Sequence, residues 1–179
     1  ATIAESPISV VSLTGGVSYY LPNIRSNIFN AKLYLYPAPL LVSSKEMCKA
    51  MRNEPPIEEI ARMVRLAPMT VIGIGAMNDD ATIISNGILN QNDFLYLSMQ
   101  GAVGDILTHF IDKDGKPIHS DVEERLFSTP LETLKSLNNV IGISGGPQKV
   151  EAIRAALKGG YLDVLITDEE TAMQLIDLS

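Results

Sequence analysis

Along this chain, short runs of β-branched and aliphatic residues alternate with longer stretches in which apolar positions recur at helical spacing. The runs Ile8–Leu13, Leu33–Tyr36, Thr70–Ile74, Val103–Ile111, Val140–Ile143 and Val164–Ile166 predict strands. Strands interleaved with helical segments predict an α/β domain with a largely parallel sheet. Three segments carry the Ser/Thr-x-x-Glu pattern that opens helices: Ser43-Ser-Lys-Glu46, Thr129-Pro-Leu-Glu132 and Thr167-Asp-Glu-Glu170. In each, the hydroxyl is expected to accept a backbone N–H while the glutamate reaches back, and the last helix is expected to run to about Ile176. Asp112-Lys-Asp-Gly115 lies between apolar stretches and predicts a hairpin turn, so one edge of the sheet is expected to be antiparallel.

No internal repeat, low-complexity tract or long Pro/Gly/Ser linker interrupts the pattern, and the 179 residues are expected to form one domain over 1–179. With 46% apolar residues the chain has enough hydrophobic surface to fold without disulfides, and its one cysteine, Cys48, is expected to be a small buried residue in a helix. Fourteen Lys and Arg against 21 Asp and Glu give a net charge of -7, with no Lys or Arg from Leu66 to Asp112 or from Gly159 to Ser179. That distribution opposes a nucleic-acid grip by this chain itself. No apolar run approaches the length of a membrane span, so the expectation is a cytoplasmic protein without membrane partners. The start at Ala1, without methionine, is expected to mark a piece of something longer.

Candidate chemistry gathers where strands end. Thr14-Gly15-Gly16, Gly73-Ile-Gly75 and Ser144-Gly145-Gly146 end or follow predicted strands, and ligands of open α/β sheets bind beyond the carboxyl ends of strands. Any one such pair is also what an ordinary tight turn needs. Ser144-Gly-Gly-Pro-Gln-Lys149 leads into a helical segment from Pro147 to Leu157, with proline suited to its first turn. Lys149 then stands near a helix N-terminus, unfavourable against the macrodipole unless an anion is present, and glycine N–H groups beside it would complete a phosphate cradle. A solvated lysine on an ordinary helix is the alternative. The spacing is not that of a Walker loop.

Asp105 interrupts an apolar run and, if buried, needs partners such as a cation or sugar hydroxyls; if it lies at the strand rim, water serves. Asn78-Asp79-Asp80 is an Asx cluster suited to turns or to ligand contact. His109, four residues beyond Asp105 in the same predicted strand, would share its face, although a satisfied strand histidine is the commoner case. Neither His109 nor His119 has partners at metal-ligand spacing, so no metal or cofactor is expected; composition allows a Ser-His-Asp triad, but no Gly-x-Ser-x-Gly elbow is present. Met47, Met51, Met63 and Met69 are expected to fill core.

Taken in order, Leu13-Thr-Gly-Gly16, Pro37-Ala-Pro39 with Val42-Ser-Ser44, Gly73-Ile-Gly75, Gly101-Ala-Val-Gly-Asp105, Ser144-Gly-Gly-Pro-Gln-Lys149 with Glu151-Ala-Ile153, and Leu165-Ile-Thr-Asp-Glu169 with Thr171-Ala172 resemble the effector domain of SorC-type transcriptional regulators, the DeoR-like sugar-binding domain. The resemblance covers most of residues 8–176. It implies a Rossmann-like α/β fold, mostly parallel with flanking helices, related to ribose-phosphate isomerases and glucosamine-phosphate deaminases. It also implies a phosphorylated sugar as ligand, homo-oligomers, and DNA binding only through an N-terminal helix-turn-helix domain absent from this chain. By the same resemblance Asp105 contacts the sugar and Lys149 the phosphate, the glycine loops with Thr14, Gly15, Gly16, Gly75, Gly145 and Gly146 line the site, and Arg25 and Asn27 add polar groups. By the same resemblance, the family's first effector-domain unit, with its own Gly- and Thr-rich loop, is expected to lie outside this sequence.

Three functions follow from this reading. The leading one is a non-catalytic effector domain of a bacterial regulator that controls carbohydrate-metabolism genes. A sugar-phosphate isomerase or deaminase would instead use Asp105 as general base and Lys149 to stabilise developing charge. A pure oligomerisation module would bind no ligand.

Overall fold

The computed structural model describes residues 8–16, 31–78, 84 and 87–177. Its strands are β1 (Ile8–Val11), β2 (Ala31–Tyr34), β3 (Thr70–Ile72), β4 (Gly75–Ala76), β5 (Ala102–Ile106), β6 (His109–Asp112), β7 (Val140–Ile143) and β8 (Val164–Ile166). Its helices are α1 (Lys45–Arg52), α2 (Pro55–Leu66), α3 (Gln91–Met99), α4 (Asp121–Arg125), α5 (Leu131–Ser136), α6 (Val150–Lys158) and α7 (Glu169–Asp177), with a 3-10 turn at Pro147–Lys149 ahead of α6. The chain divides into two compact units, one of residues up to Leu66 with Arg125–Ser128, the other of Ala67–Glu124 and Thr129 onward.

In the first unit β1 and β2 pair in parallel, Ile8 opposite Ala31 and Val11 opposite Tyr34. The core joins Tyr36, Val42, Cys48, Ile57, Ile60 and Phe127, with Val11, Tyr34, Met51 and Met63 packed against it. Helix α2 starts on Pro55-Pro56, where missing N–H groups cost nothing, and buries Ile57, Ile60 and Val64 along one stripe. The Arg52 guanidinium lies 4.9 Å from the Phe127 ring centroid and donates to the Leu126 and Ser128 carbonyls at 3.3 and 2.9 Å. Cys48 is buried, as its place in an apolar helix face predicts. Met47, expected in the core, is instead exposed because it lies on the outer face of α1, and Met69 is exposed in the connection before β3.

In the second unit β3, β7 and β8 form a parallel sheet in the order β3-β7-β8, and β4, β5 and β6 form a separate antiparallel sheet. The predicted mixture of pairings is thus divided between sheets. Helix α6 fits against β5 because Gly104 has no side chain: a Cβ there would overlap Ala152. Ala152, Ile153, Ala155 and Ala156 are fully buried, so α6 is covered on most sides. The face of the parallel sheet that carries Ile72, Val140 and Gly142 is buried, while Val71, Ile143, Val164 and Ile166 on the other face remain about half exposed, 51, 51, 46 and 52%.

Several local expectations shift. The run Val103–Ile111 is not one strand but two, β5 and β6, joined at Leu107–Thr108, whose φ values of 53 and 71° are left-handed. Asp105 and His109 therefore stand on consecutive antiparallel strands, with His109 opposite Ile106. The turn at Asp112–Gly115 forms as predicted, Gly115 N–H donating to Asp112 at 2.9 Å and Ile111 bridging Pro117. The first helix is capped by Ser44, not Ser43, through a 3.1 Å bond from Met47 N–H. At α5 the cap position falls on Pro130, one residue beyond Thr129, and Pro130 offers no side-chain acceptor. At α7 Asp168 accepts the Thr171 N–H at 2.8 Å in place of Thr167, since a carboxylate is the stronger acceptor at a helix start.

Candidate functional site

The parallel and antiparallel sheets of the second unit meet at one peptide. The chain leaves β3 at Ile72 and enters β4 at Gly75, so the Ile74–Gly75 peptide lies at the carboxyl edge of the parallel sheet. The Ile74 carbonyl accepts the Lys149 Nζ at 2.9 Å and the Ser144 hydroxyl at 3.2 Å. Gly75 stands opposite Asp105 in the β4–β5 ladder, and a Cβ at position 75 would overlap an Asp105 carboxylate oxygen. Glycine is therefore required at 75 for Asp105 to keep its place.

Asp105 Oδ2 accepts the Thr108 N–H at 3.1 Å, which secures the left-handed turn that a leucine and a threonine would otherwise resist. Part of the residue stays open to solvent, yet its carboxyl lies in packed surroundings. Burial pushes the Asp105 carboxyl above the usual carboxylate range, against the opposing pull of the Thr108 N–H, the Lys149 charge and His109. Lys149 is half-buried, held by a carbonyl where a carboxylate or phosphate would be the stronger partner.

The loop after β7 is clamped from β8 and α7. Gly146 has φ 104° and ψ 149°, a conformation open in practice to glycine alone, and its N–H donates to Asp168 Oδ2 at 3.0 Å and Thr171 Oγ1 at 2.8 Å. Thr171 in turn donates its hydroxyl to Asp168 at 2.8 Å. These bonds hold the Asp168 carboxyl below its ordinary value, the Thr171 N–H contributing most, then the Thr171 hydroxyl and the Gly146 N–H. The Gly146 N–H that the sequence offered to a ligand is thus already engaged. The Gly145 N–H has no partner among the described residues. Beside it the Thr167 hydroxyl is buried without a hydrogen bond.

The sequence-predicted residues divide accordingly. Gly75, Asp105, Gly145, Gly146 and Lys149 all belong to the second unit. Thr14, Gly15 and Gly16 belong to the first, where Gly15 N–H donates to the Phe127 carbonyl at 2.9 Å and Gly16 N–H to that of Ala38 at 2.8 Å. Thr14 bridges Ser128, and Arg25 and Asn27 lie outside the described residues, as do Asp79 and Asp80. His109 is buried, its Nε2 2.8 Å from the Thr129 carbonyl and its Nδ1 2.8 Å from Glu123, so both ring nitrogens are occupied and the histidine is structural. His119 is exposed. Sequence reasoning assigned no role to Ser144, Asp168 or Thr171; an Asp following a strand and three residues before a Thr is an Asx cap signal that would have found the last two. Among the described residues no three His, Cys, Asp or Glu cluster as metal ligands, and no helix is long and apolar enough to cross a membrane.

An α/β unit with charged groups gathered at a carboxyl sheet edge is the layout of a small-molecule binding domain. The family model described as "putative sugar-binding domain" matches residues 2–177, and the chain belongs to that family. It is 34% identical over 180 residues to the transcriptional regulator LsrR of Klebsiella pneumoniae, covering 99% of this chain and 56% of that protein. LsrR of Escherichia coli K12 is 36% identical over 177 residues, covering 97% and 56%. The chain thus spans about half the length of the curated relatives it matches. Among solved structures, a DeoR family transcriptional regulator from Listeria monocytogenes superposes with TM-score 0.84 at 26% identity, covering 93% of this chain and 68% of that one. The full-length sorbitol operon regulator SorC from Klebsiella pneumoniae shares the fold, with TM-score 0.79 at 23% identity over 98% of this chain and 59% of that one. These relatives are named as regulators, not enzymes, and the isomerase or deaminase alternative finds no support among them.

Proposed function

We propose that this chain is the effector domain of a bacterial transcriptional regulator and that its ligand is a phosphorylated sugar. The observation that carries the reading is the meeting of Lys149 and Asp105 on either end of the Ile74–Gly75 peptide. An ammonium with donors to spare, the Gly145 N–H and the Thr167 hydroxyl suit phosphate oxygens. A carboxylate in packed surroundings suits sugar hydroxyls, which replace the water it has lost. Gly75 and Gly146 shape the loops that hold these groups. Thr14, Gly15, Gly16, Arg25 and Asn27 join the proposal through the family resemblance alone.

In this reading the domain works in the cytoplasm as a homo-oligomer, and DNA is contacted by a separate N-terminal domain. Effector binding acts by favouring one arrangement of subunits, since differential affinity is the only means by which a ligand shifts such an equilibrium. Thermal unfolding against pentose, hexose and triose phosphates, with their unphosphorylated sugars beside them, tests the ligand class. A phosphorylated sugar present at a hundred times its Kd should add about 2.7 kcal/mol to wild type. That gain should vanish in Lys149→Ala. A gain from the free sugar equal to that from its phosphate would overturn the assignment of Lys149.

A further inference from the structure

We propose that Ser144 is a positioning residue for Lys149, acting through the Ile74 carbonyl. The proposal deepens the reading above and rests on it for the role of Lys149 in binding.

The Ile74 carbonyl receives two side chains, and both come from the connection between β7 and α6: Ser144 Oγ at 3.2 Å and Lys149 Nζ at 2.9 Å. A carbonyl oxygen has two lone pairs, so these donors fill it. Their natures differ. Ser144 is 7% exposed and has one short rotor, so its hydroxyl stays where the packing puts it. Lys149 is half-buried on a flexible four-carbon stem, and its ammonium stays only where something holds it.

The same peptide ends in Gly75, over whose Cα the Asp105 carboxylate lies. The orientation of this one peptide therefore sets the spacing between the ammonium and the carboxylate. The two groups are of opposite charge and lie at the two ends of one peptide, yet among the described contacts they form no ion pair. A peptide free to rotate would release the ammonium toward Asp105, and an ion pair there would occupy both binding groups at once. Ser144 holds the peptide with its carbonyl toward Lys149 and keeps the two groups apart. A neutral hydroxyl does this without competing for an anion.

Trace acetylation with acetic anhydride, read lysine by lysine by mass spectrometry of the intact folded chain after digestion, reports how firmly Lys149 is held without any ligand. Ser144→Ala is expected to change the Lys149 rate by about threefold or more while the other lysines keep theirs; Ser144→Thr, which retains the hydroxyl, should stay near wild type. Inorganic phosphate titrated by calorimetry should bind Ser144→Ala about fivefold more weakly than wild type. In a Lys149→Met background the Ser144 substitution should add nothing, because a purely structural serine would still cost affinity there. An unchanged Lys149 rate in Ser144→Ala would overturn the proposal whatever the affinities do. A changed rate with no phosphate binding by wild type would sustain the positioning of Lys149 and overturn the reading of the site.

Discussion

In the loop after β1 both glycine N–H groups donate to main-chain carbonyls, Gly15 to Phe127 and Gly16 to Ala38, whereas in the loop after β7 Gly146 donates to the side chains of Asp168 and Thr171. The first pair is buried, with Gly15 pressed so near the Ala38 and Pro39 carbonyls that a methyl group would overlap them. In the second pair Gly145 is exposed, and what a Cβ there would meet is the Asp168 carboxylate. Two loops of like sequence are thus fixed by different means. Main-chain clamping gives a rigid brace that no titration reaches, while side-chain clamping gives a loop whose shape depends on an ionisable group.

Substitutions should separate the two. The largest effect is expected from Gly15→Ala, where backbone must move to admit the Cβ: a loss of about 3 kcal/mol or more in urea unfolding. A loss under half that would show that the brace yields. Gly146→Ala should cost about 2 kcal/mol, from the φ of 104° rather than from crowding, because the nearest atom to its Cβ is the flexible end of Gln148. Replacing the charge at Asp105 sharpens the contrast in the other direction. Burial raises its pKa in the fold, so the ionised form opposes folding at neutral pH; Asp105→Asn should raise stability there while abolishing ligand response. That gain should shrink as the pH falls through the raised folded value toward the unfolded one, a trend readable from melting midpoints.

The smallest effect is expected at Asp168, whose pKa is lowered in the fold. A lowered carboxylate pKa contributes stability above its unfolded value, about pH 4, and loses it as pH falls through the folded value. Hydrogen exchange at the Gly146 amide should accelerate relative to Gly15 over that acid range, after correction for intrinsic rates. Equal pH dependence at both amides would remove the distinction drawn between the loops.

Of the strands, Val140–Ile143 and Val164–Ile166 are legible in the sequence to the residue, because an apolar run bounded by turn residues carries its own signal. The turn at Leu107–Thr108 is not. Two-residue hairpin turns favour Asn and Gly, and neither is present; Asp105 supplies from its side chain the support that turn residues would have given. The caps show the same limit on a smaller scale, since neighbouring hydroxyls at 43 and 44 look alike until the chain direction into α1 selects Ser44. Motif order along the sequence was enough to indicate the family, while the binding roles of Asp105 and Lys149 remain part of the proposal.

What the sequence by itself determined is therefore what each segment carries locally: the alternation of strand and helix, the buried cysteine, the glycine loops and the charged residues beside them. Only the tertiary structure decided that Ile74 offers its carbonyl to both Ser144 and Lys149, that Gly75 lies beneath Asp105, that Asp168 closes the Gly146 loop, and that His109 is used up in the core. The physical reason is that periodicity and turn chemistry act between neighbours in sequence, while these contacts join residues far apart whose meeting depends on close packing, such as that of Gly104 against Ala152.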